Sequence, residues 1–161
     1  MRLFIAIKLD NNMVESLSEY LEDMRAAGVR GNFTKPENIH ITLAFIGEYG
    51  NPQDVLDVIE KTDFRPFKIQ LDGTGDFGEL FWAGIADNPE LINYVKRLRK
   101  NLADARIPFD KKKFSPHITL VRKPSYKNWH PEKAPKGHMI VDRISLMKSE
   151  RGKNGMIYTE I

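Results

Sequence analysis

The sequence predicts an α+β fold of two pseudo-symmetric lobes, with mostly antiparallel sheets and outer helices. Two observations carry that prediction. A gap-free self-comparison at an offset of 77 residues matches 12 of the 45 positions from Leu3 to Gly47 with their counterparts at 80–124. Each copy also runs in the order apolar strand, amphipathic helix, short loop, strand. The matches include Leu3-Phe4 with Leu80-Phe81, Asp10-Asn11 with Asp87-Asn88, Lys35 with Lys112, and His40-Ile41-Thr42-Leu43 with His117-Ile118-Thr119-Leu120. One shared tetrapeptide is an accident; matches spread along one diagonal indicate a duplicated unit.

The elements follow from local chemistry. Leu3–Leu9 and Leu80–Ala86 are apolar runs suited to buried strands. Asp10-Asn11 and Asp87-Asn88-Pro89 are helix-start signals, with Pro89 suited to a first helical position. Met13, Leu17, Tyr20, Leu21 and Met24 then recur at helical spacing, and Gly28 is a stop. Leu91, Ile92, Val95, Leu98 and Leu102 trace the same stripe in the second copy. Between the copies, Pro52–Lys61 reads as a helix and Phe67–Leu71 as a strand. Lys123–Gly137, with three prolines, reads as a loop. Met139–Met147 and Met156–Ile161 read as two final strands joined by a turn at Arg151–Gly155. No segment reads as a linker, so residues 1–161 are expected to form one bilobal domain with its repeats at about 3–47 and 80–124.

Composition narrows the class. A 41% hydrophobic content excludes wholesale disorder. No apolar run reaches the roughly 20 residues of a membrane span, and Arg2 and Lys8 interrupt any signal-peptide core. The absence of cysteine excludes disulfides, thiolate metal sites and thiol catalysis. A soluble, cytoplasmic protein is expected, with no membrane partner. The net charge of +3 conceals an asymmetry: residues 1–87 carry 8 Lys/Arg against 15 Asp/Glu, whereas 88–161 carry 17 against 7. That imbalance points to a polyanionic partner, or equally to helices with oppositely charged solvated faces.

Strand alternation puts His40 and Thr42 on one face and Ile41, Leu43 and Phe45 on the other. His117 and Thr119 repeat the division. A lone histidine is ordinarily structural. Here two copies, a threonine two residues on in each, strand context and a common offset favour two HxT strands facing a central cleft. His130 and His138 have no such partners and read as bland. Two imidazoles in one cleft suit acid–base chemistry near neutral pH, one neutral to accept a proton and one charged to donate it. The hydroxyls of Thr42 and Thr119 can donate to a phosphoryl group, and Arg122 adds a bidentate contact. Displacement at phosphorus needs positioning and charge neutralisation, so neither metal nor other cofactor is expected.

Pro36–Gly47 and Ser115–Arg122 resemble the paired signatures of the two-histidine (2H) phosphoesterases. The nearest branch is the RNA 2′,3′-cyclic phosphodiesterases, also called 2′-5′ RNA ligases. Arg2–Ala6 and Leu80–Gly84 look like that branch too, and no motif position departs from it. The resemblance implies opening of an RNA 2′,3′-cyclic phosphate end, tRNA fragments included, to a 2′-phosphate. It implies that His40 is the proton donor to the departing 3′ oxygen and His117 the acceptor that activates water; pseudo-symmetry alone leaves that choice open. Some relatives run the reverse, ATP-independent 2′-5′ ligation, and this chain has no GxxxxGK[ST] loop. Lys111, Lys112 and Lys113 stand just before the second histidine strand, where a basic rim attracts an RNA backbone. Lys96, Arg97, Arg99 and Lys100 read rather as a solvated helix face. Phe4, Phe45 and Trp82 are rings able to stack on a base, though each is more often core. Two other readings stand beside this one: a phosphodiesterase for a small cyclic phosphate (of a nucleoside or ADP-ribose), and a non-catalytic RNA-end-binding module. A monomer is expected, since the duplication already supplies two half-sites.

Overall fold

The computed structural model describes residues 1–126 and 133–161; His130 lies outside them. Strand β1 (Arg2–Lys8) leads to helix α1 (Asn11–Ala26), strand β2 (Arg30–Phe33), a 3₁₀ turn at Pro36–Asn38 and strand β3 (His40–Glu48). Helix α2 (Pro52–Lys61) and strand β4 (Phe67–Asp76) come next. The second copy contributes β5 (Leu80–Ile85), α3 (Pro89–Asp104) and β6 (His117–Ser125), followed by β7 (His138–Val141), β8 (Ser145–Gly152) and β9 (Gly155–Glu160).

Helix starts use the expected residues. The Asp10 carboxylate accepts from the Met13 amide at 2.9 Å, and the Asn88 side chain accepts from the Leu91 amide at 3.1 Å with Pro89 behind it. Gly28 takes φ +97° just past α1, the left-handed conformation in which a glycine best ends a helix. The amphipathic stripes point at one sheet face: Met13, Leu17, Leu21 and Met24 of α1 and Leu91, Val95, Leu98 and Leu102 of α3 join Leu3, Ile5, Ile7, Ile41 and Ile118 in one core.

The strands pair in the order β7-β4-β5-β6-β3-β1-β8-β9, with β2 also on β6, and every pairing is antiparallel. The two histidine strands are neighbours at the centre, and β1 and β5 flank them as equivalent segments of the two copies. The next strands are exchanged. β4 follows the first copy in sequence yet pairs with β5; β8 follows the second copy yet pairs with β1. Each half is thus completed by chain from the other.

Three expectations need correction. Met139–Met147 is not one strand but parts of two, β7 on β4 and β8 on β1, at opposite ends of the sheet. Asp142–Ile144 between them carries the chain across, which an apolar pattern cannot reveal. Lys123–Ser125 belongs to β6 rather than to a loop, because β2 pairs with it there. The last hairpin is also tighter than expected, with β8 reaching Gly152 and β9 starting at Gly155.

Candidate active site

Strands β3 and β6 pair at one point, Ile41 opposite Ile118. Extending that antiparallel register by one residue sets His40 opposite Thr119 and Thr42 opposite His117. All four lie on the face away from the helices, because Ile41 and Ile118 are fully buried beneath them. The two HxT pairs therefore lie side by side on one face of the sheet.

Both imidazoles are held in the same way. The Nδ1 of His40 lies 2.7 Å from the carbonyl oxygen of Asn38, and the Nδ1 of His117 lies 2.7 Å from that of Ser115. A carbonyl only accepts, so each Nδ1 carries the proton and donates it. Each Nε2 is then the reactive nitrogen, basic when neutral and acidic when charged. The turn at Pro36–Asn38 and the Ser115-Pro116 pair present these two carbonyls immediately before the strands.

Surroundings distinguish the rings. His40 packs against Phe4 (centroids 5.0 Å apart) and edge-on to Tyr158 (5.4 Å), and its Nε2 lies 2.8 Å from the Thr42 hydroxyl. Burial among these groups lowers its pKa below the ordinary 6.5; the Asn38 carbonyl opposes the shift, and the positive charges of Arg122 and His117 add to it. His117 meets the exposed ring of Phe77 edge-on at 6.3 Å, and Phe77 in turn tilts against Trp82 at 5.3 Å.

Arg122 reaches this face through a β-bulge. Simple alternation from His117 would send it to the buried side with Ile118 and Leu120. Instead β5 pairs Trp82 with Thr119 and Phe81 with Val121, leaving Leu120 as an extra residue. Leu120 and Val121 are both buried, parity flips, and Arg122 joins His117 and Thr119. The first copy does the same: β1 pairs Ala6 with Thr42 and Ile5 with Ala44, skipping Leu43. Phe45 consequently lies on the histidine face, in a small cluster with Phe4, Ala6, Met147 and Tyr158, and not with Ile41 as alternation implied. The bulge carbonyls are satisfied from the opposite copy. Arg99 donates to the Leu43 oxygen through Nε (3.3 Å) and Nη2 (3.0 Å), whereas the Thr34 amide donates to the Leu120 oxygen at 2.9 Å. Arg99 is thus a half-buried structural cation, unlike the solvated face expected of it.

The remaining expected residues lie elsewhere. Lys111, Lys112 and Lys113 are exposed in the segment before β6, where the Lys112 carbonyl accepts from Arg99 at 2.7 Å. Phe4 is buried against His40. Trp82 is half-buried, its indole lying over Gly75, where an added Cβ would collide with Trp82 Cζ2. Sequence reading missed Tyr158, Phe77 and Asn38. Asn38 is buried and its side chain donates to the Met156 carbonyl at 2.9 Å, tying the last hairpin to the site. Among the described residues no cluster of three or more His, Asp or Glu side chains is placed to hold a metal ion, and no helix is long and apolar enough to cross a membrane.

Two fixed imidazoles, two hydroxyls and a guanidinium on one face of adjacent strands are the groups that acid–base displacement at phosphorus uses. Residues 13–153 match the model of the 2′-5′ RNA ligase superfamily. The chain belongs to the 2′-5′ RNA ligase superfamily. Within that family, an Archaeoglobus fulgidus protein named RNA 2′,3′-cyclic phosphodiesterase is 30% identical, the alignment covering 100% of this chain and 98% of the relative. A crystal structure of a Thermus thermophilus protein superposes with TM-score 0.85 at 28% identity, over 100% of this chain and 95% of that one. Escherichia coli LigT, solved with 3′-AMP, also gives 0.85 at 26% identity, over 99% of this chain and 94% of that one. The expected family and the α+β antiparallel fold hold.

Proposed function

We propose that the chain hydrolyses RNA 2′,3′-cyclic phosphate ends to 2′-phosphates, with His40 and His117 as paired acid and base and no metal ion. The observation that carries this reading is the shared tethering of both Nδ1 atoms to backbone carbonyls, which leaves both Nε2 atoms as the reactive positions on the sheet face that also carries Thr42, Thr119 and Arg122. The relatives' name supports the cyclic phosphodiesterase activity.

In the proposed cycle, neutral His117 accepts a proton from water as its oxygen forms a bond to phosphorus. The bond from phosphorus to the 3′ oxygen breaks, and charged His40 passes its Nε2 proton to that oxygen. Thr42, Thr119 and Arg122 hold the non-bridging oxygens. Burial disfavours the charged form of His40 in the free protein, whereas the phosphate anion of a bound substrate favours it. His40 thus charges most readily when substrate is present. A 5′-hydroxyl in place of water gives a 2′-5′ phosphodiester by the same proton transfers, without ATP.

The test is a short RNA ending in a 2′,3′-cyclic phosphate, incubated with EDTA, with the product phosphomonoester identified. A 2′-phosphate is expected. A 3′-phosphate would overturn the regiochemistry, loss of activity in EDTA would overturn metal independence, and no product would overturn RNA-end hydrolysis.

A further inference from the structure

A groove of about 780 Å³ adjoins the histidine site and shares Asn38, Arg122 and Tyr158 with it. Strand β2 forms one wall and the β8–β9 hairpin the other. Among the described residues, five cations line it: Arg25, Arg30, Lys35, Arg122 and Arg151. No Asp or Glu is among the described residues that line it. All five are exposed; of the five, Arg25 is drawn partly aside by an ion pair with Glu22 and by the Phe33 ring beneath it, 4.4 Å from its guanidinium carbon.

The groove is built by close backbone approach. Gly31 takes φ +144° where a Cβ would lie 2.8 Å from Val121 Cγ1 and 3.0 Å from the carbonyl oxygens of Arg122 and Lys123. Only glycine lets β2 lie so near β6. Asn38 fixes the opposite wall through Met156. Arg25, Arg30 and Lys35 come from the acidic half of the chain and Arg151 from the basic half, so the linear charge pattern does not show the groove.

We propose that this groove is the track for single-stranded RNA on the 5′ side of the reacting end, its phosphodiesters met by Arg30, Lys35 and Arg151. The inference rests on the proposed function, and direction follows from chemistry. A 2′,3′-cyclic phosphate is the last group of an RNA, so once it lies between the histidines and Arg122 every other nucleotide extends to its 5′ side. A cationic channel leading away from Arg122, free of lining carboxylates among the described residues, suits that polyanion whatever its sequence. Lys111–Lys113 do not line it.

The test compares the natural chain with an Arg30→Gln/Arg151→Gln variant on two substrates: an RNA hexamer ending in a 2′,3′-cyclic phosphate and cytidine 2′,3′-cyclic phosphate. Each single-strand phosphate contact steepens the log–log salt slope by about 0.7, so between 50 and 200 mM salt the natural chain should lose about sevenfold more kcat/KM on the hexamer than the variant does. The variant's log–log salt dependence should be shallower by about 1.4. Turnover of the mononucleotide should be unchanged, which also certifies the fold. Equal hexamer turnover by both proteins would overturn the track. A chain that opens neither substrate would overturn the proposed function instead. Fluorescence anisotropy with a hexamer ending in a 2′-phosphate would still judge the groove: weaker binding by the variant supports it, and equal binding overturns it.

Discussion

His40 and His117 occupy equivalent places in a repeated unit, and their local geometry is the same to the carbonyl that each Nδ1 meets. Their surroundings differ. His40 is walled by Phe4 and Tyr158, with Phe45 farther along its strand; His117 has the edge of exposed Phe77 beside it, with Arg122 at the place equivalent to Phe45. Duplication therefore supplied two copies of one tethered imidazole, and residues outside the matched tetrapeptide made their surroundings unequal. The enclosed ring is the one whose pKa burial lowers, and in the proposed cycle its charge depends on what binds. In the proposed cycle the more open ring is the one that meets water, which suits the assignment of acid and base made there.

The sharpest test of that inequality removes each ring in turn. His40→Ala and His117→Ala should each lower kcat about 10²–10⁴-fold on a cyclic-ended RNA, both proteins remaining folded by circular dichroism. A variant retaining near-full kcat would show that one half-site suffices. Next in size is the contrast between the two positions after the bulge. Arg122→Met should cost about 10²-fold in activity with little change in stability, because in the proposed cycle its charge holds the reacting phosphate. Phe45→Ala should instead lower stability by about 2 kcal/mol in urea titrations, because it packs Phe4 and Tyr158 around His40. Equal effects on activity and stability at both positions would erase the distinction.

A smaller effect is expected at the bulge itself. Arg99→Met leaves the Leu43 carbonyl without its donors and should cost about 1–3 kcal/mol of unfolding free energy. No loss would mean that water replaces the guanidinium.

The smallest effect is on pH dependence. With its pKa lowered in the folded chain, His40 binds a proton less readily there than in the unfolded chain. Folding is thus unpenalised above about pH 6.5, and stability falls as pH drops from there toward the lowered folded value. Wild type should lose more stability than His40→Gln between pH 7.5 and 5.5 in parallel melts. The same burial predicts that the alkaline limb of kcat, set in the substrate complex, lies at higher pH than that of kcat/KM, set in the free protein. Coincident limbs would mean that bound phosphate does not restore the proton.

Much of the unit was legible because its signals are local. Asp10, Asn88, Pro89 and Gly28 act within one turn of the helix they start or stop, and the stripe from Leu91 to Leu102 faces the core that its spacing implies. His40, Thr42, His117 and Thr119 were legible because alternation holds over three residues of strand. It fails at the fifth, where Ala44 and Val121 are each buried like the leucine before it. The bulges at Leu43 and Leu120 are decided by how β1 and β5 register against β3 and β6, so Phe45 was assigned to the wrong face and the face of Arg122 had no local signal. The split of Met139–Met147 failed for a related reason: both pieces are apolar, and only partners at opposite ends of the sheet divide them.

By itself, then, the sequence determined the repeated strand–helix–strand unit, the caps of its helices and the identity and facing of two HxT pairs. Each depends on residues within a few positions of one another. Tertiary structure alone decided which strands complete which half, which histidine is enclosed, where Arg122 points and that Arg25, Arg30 and Arg151 share a groove. These depend on register and on contacts between residues as far apart in the chain as Arg2 and Ser149, where a chain's own periodicity carries no information.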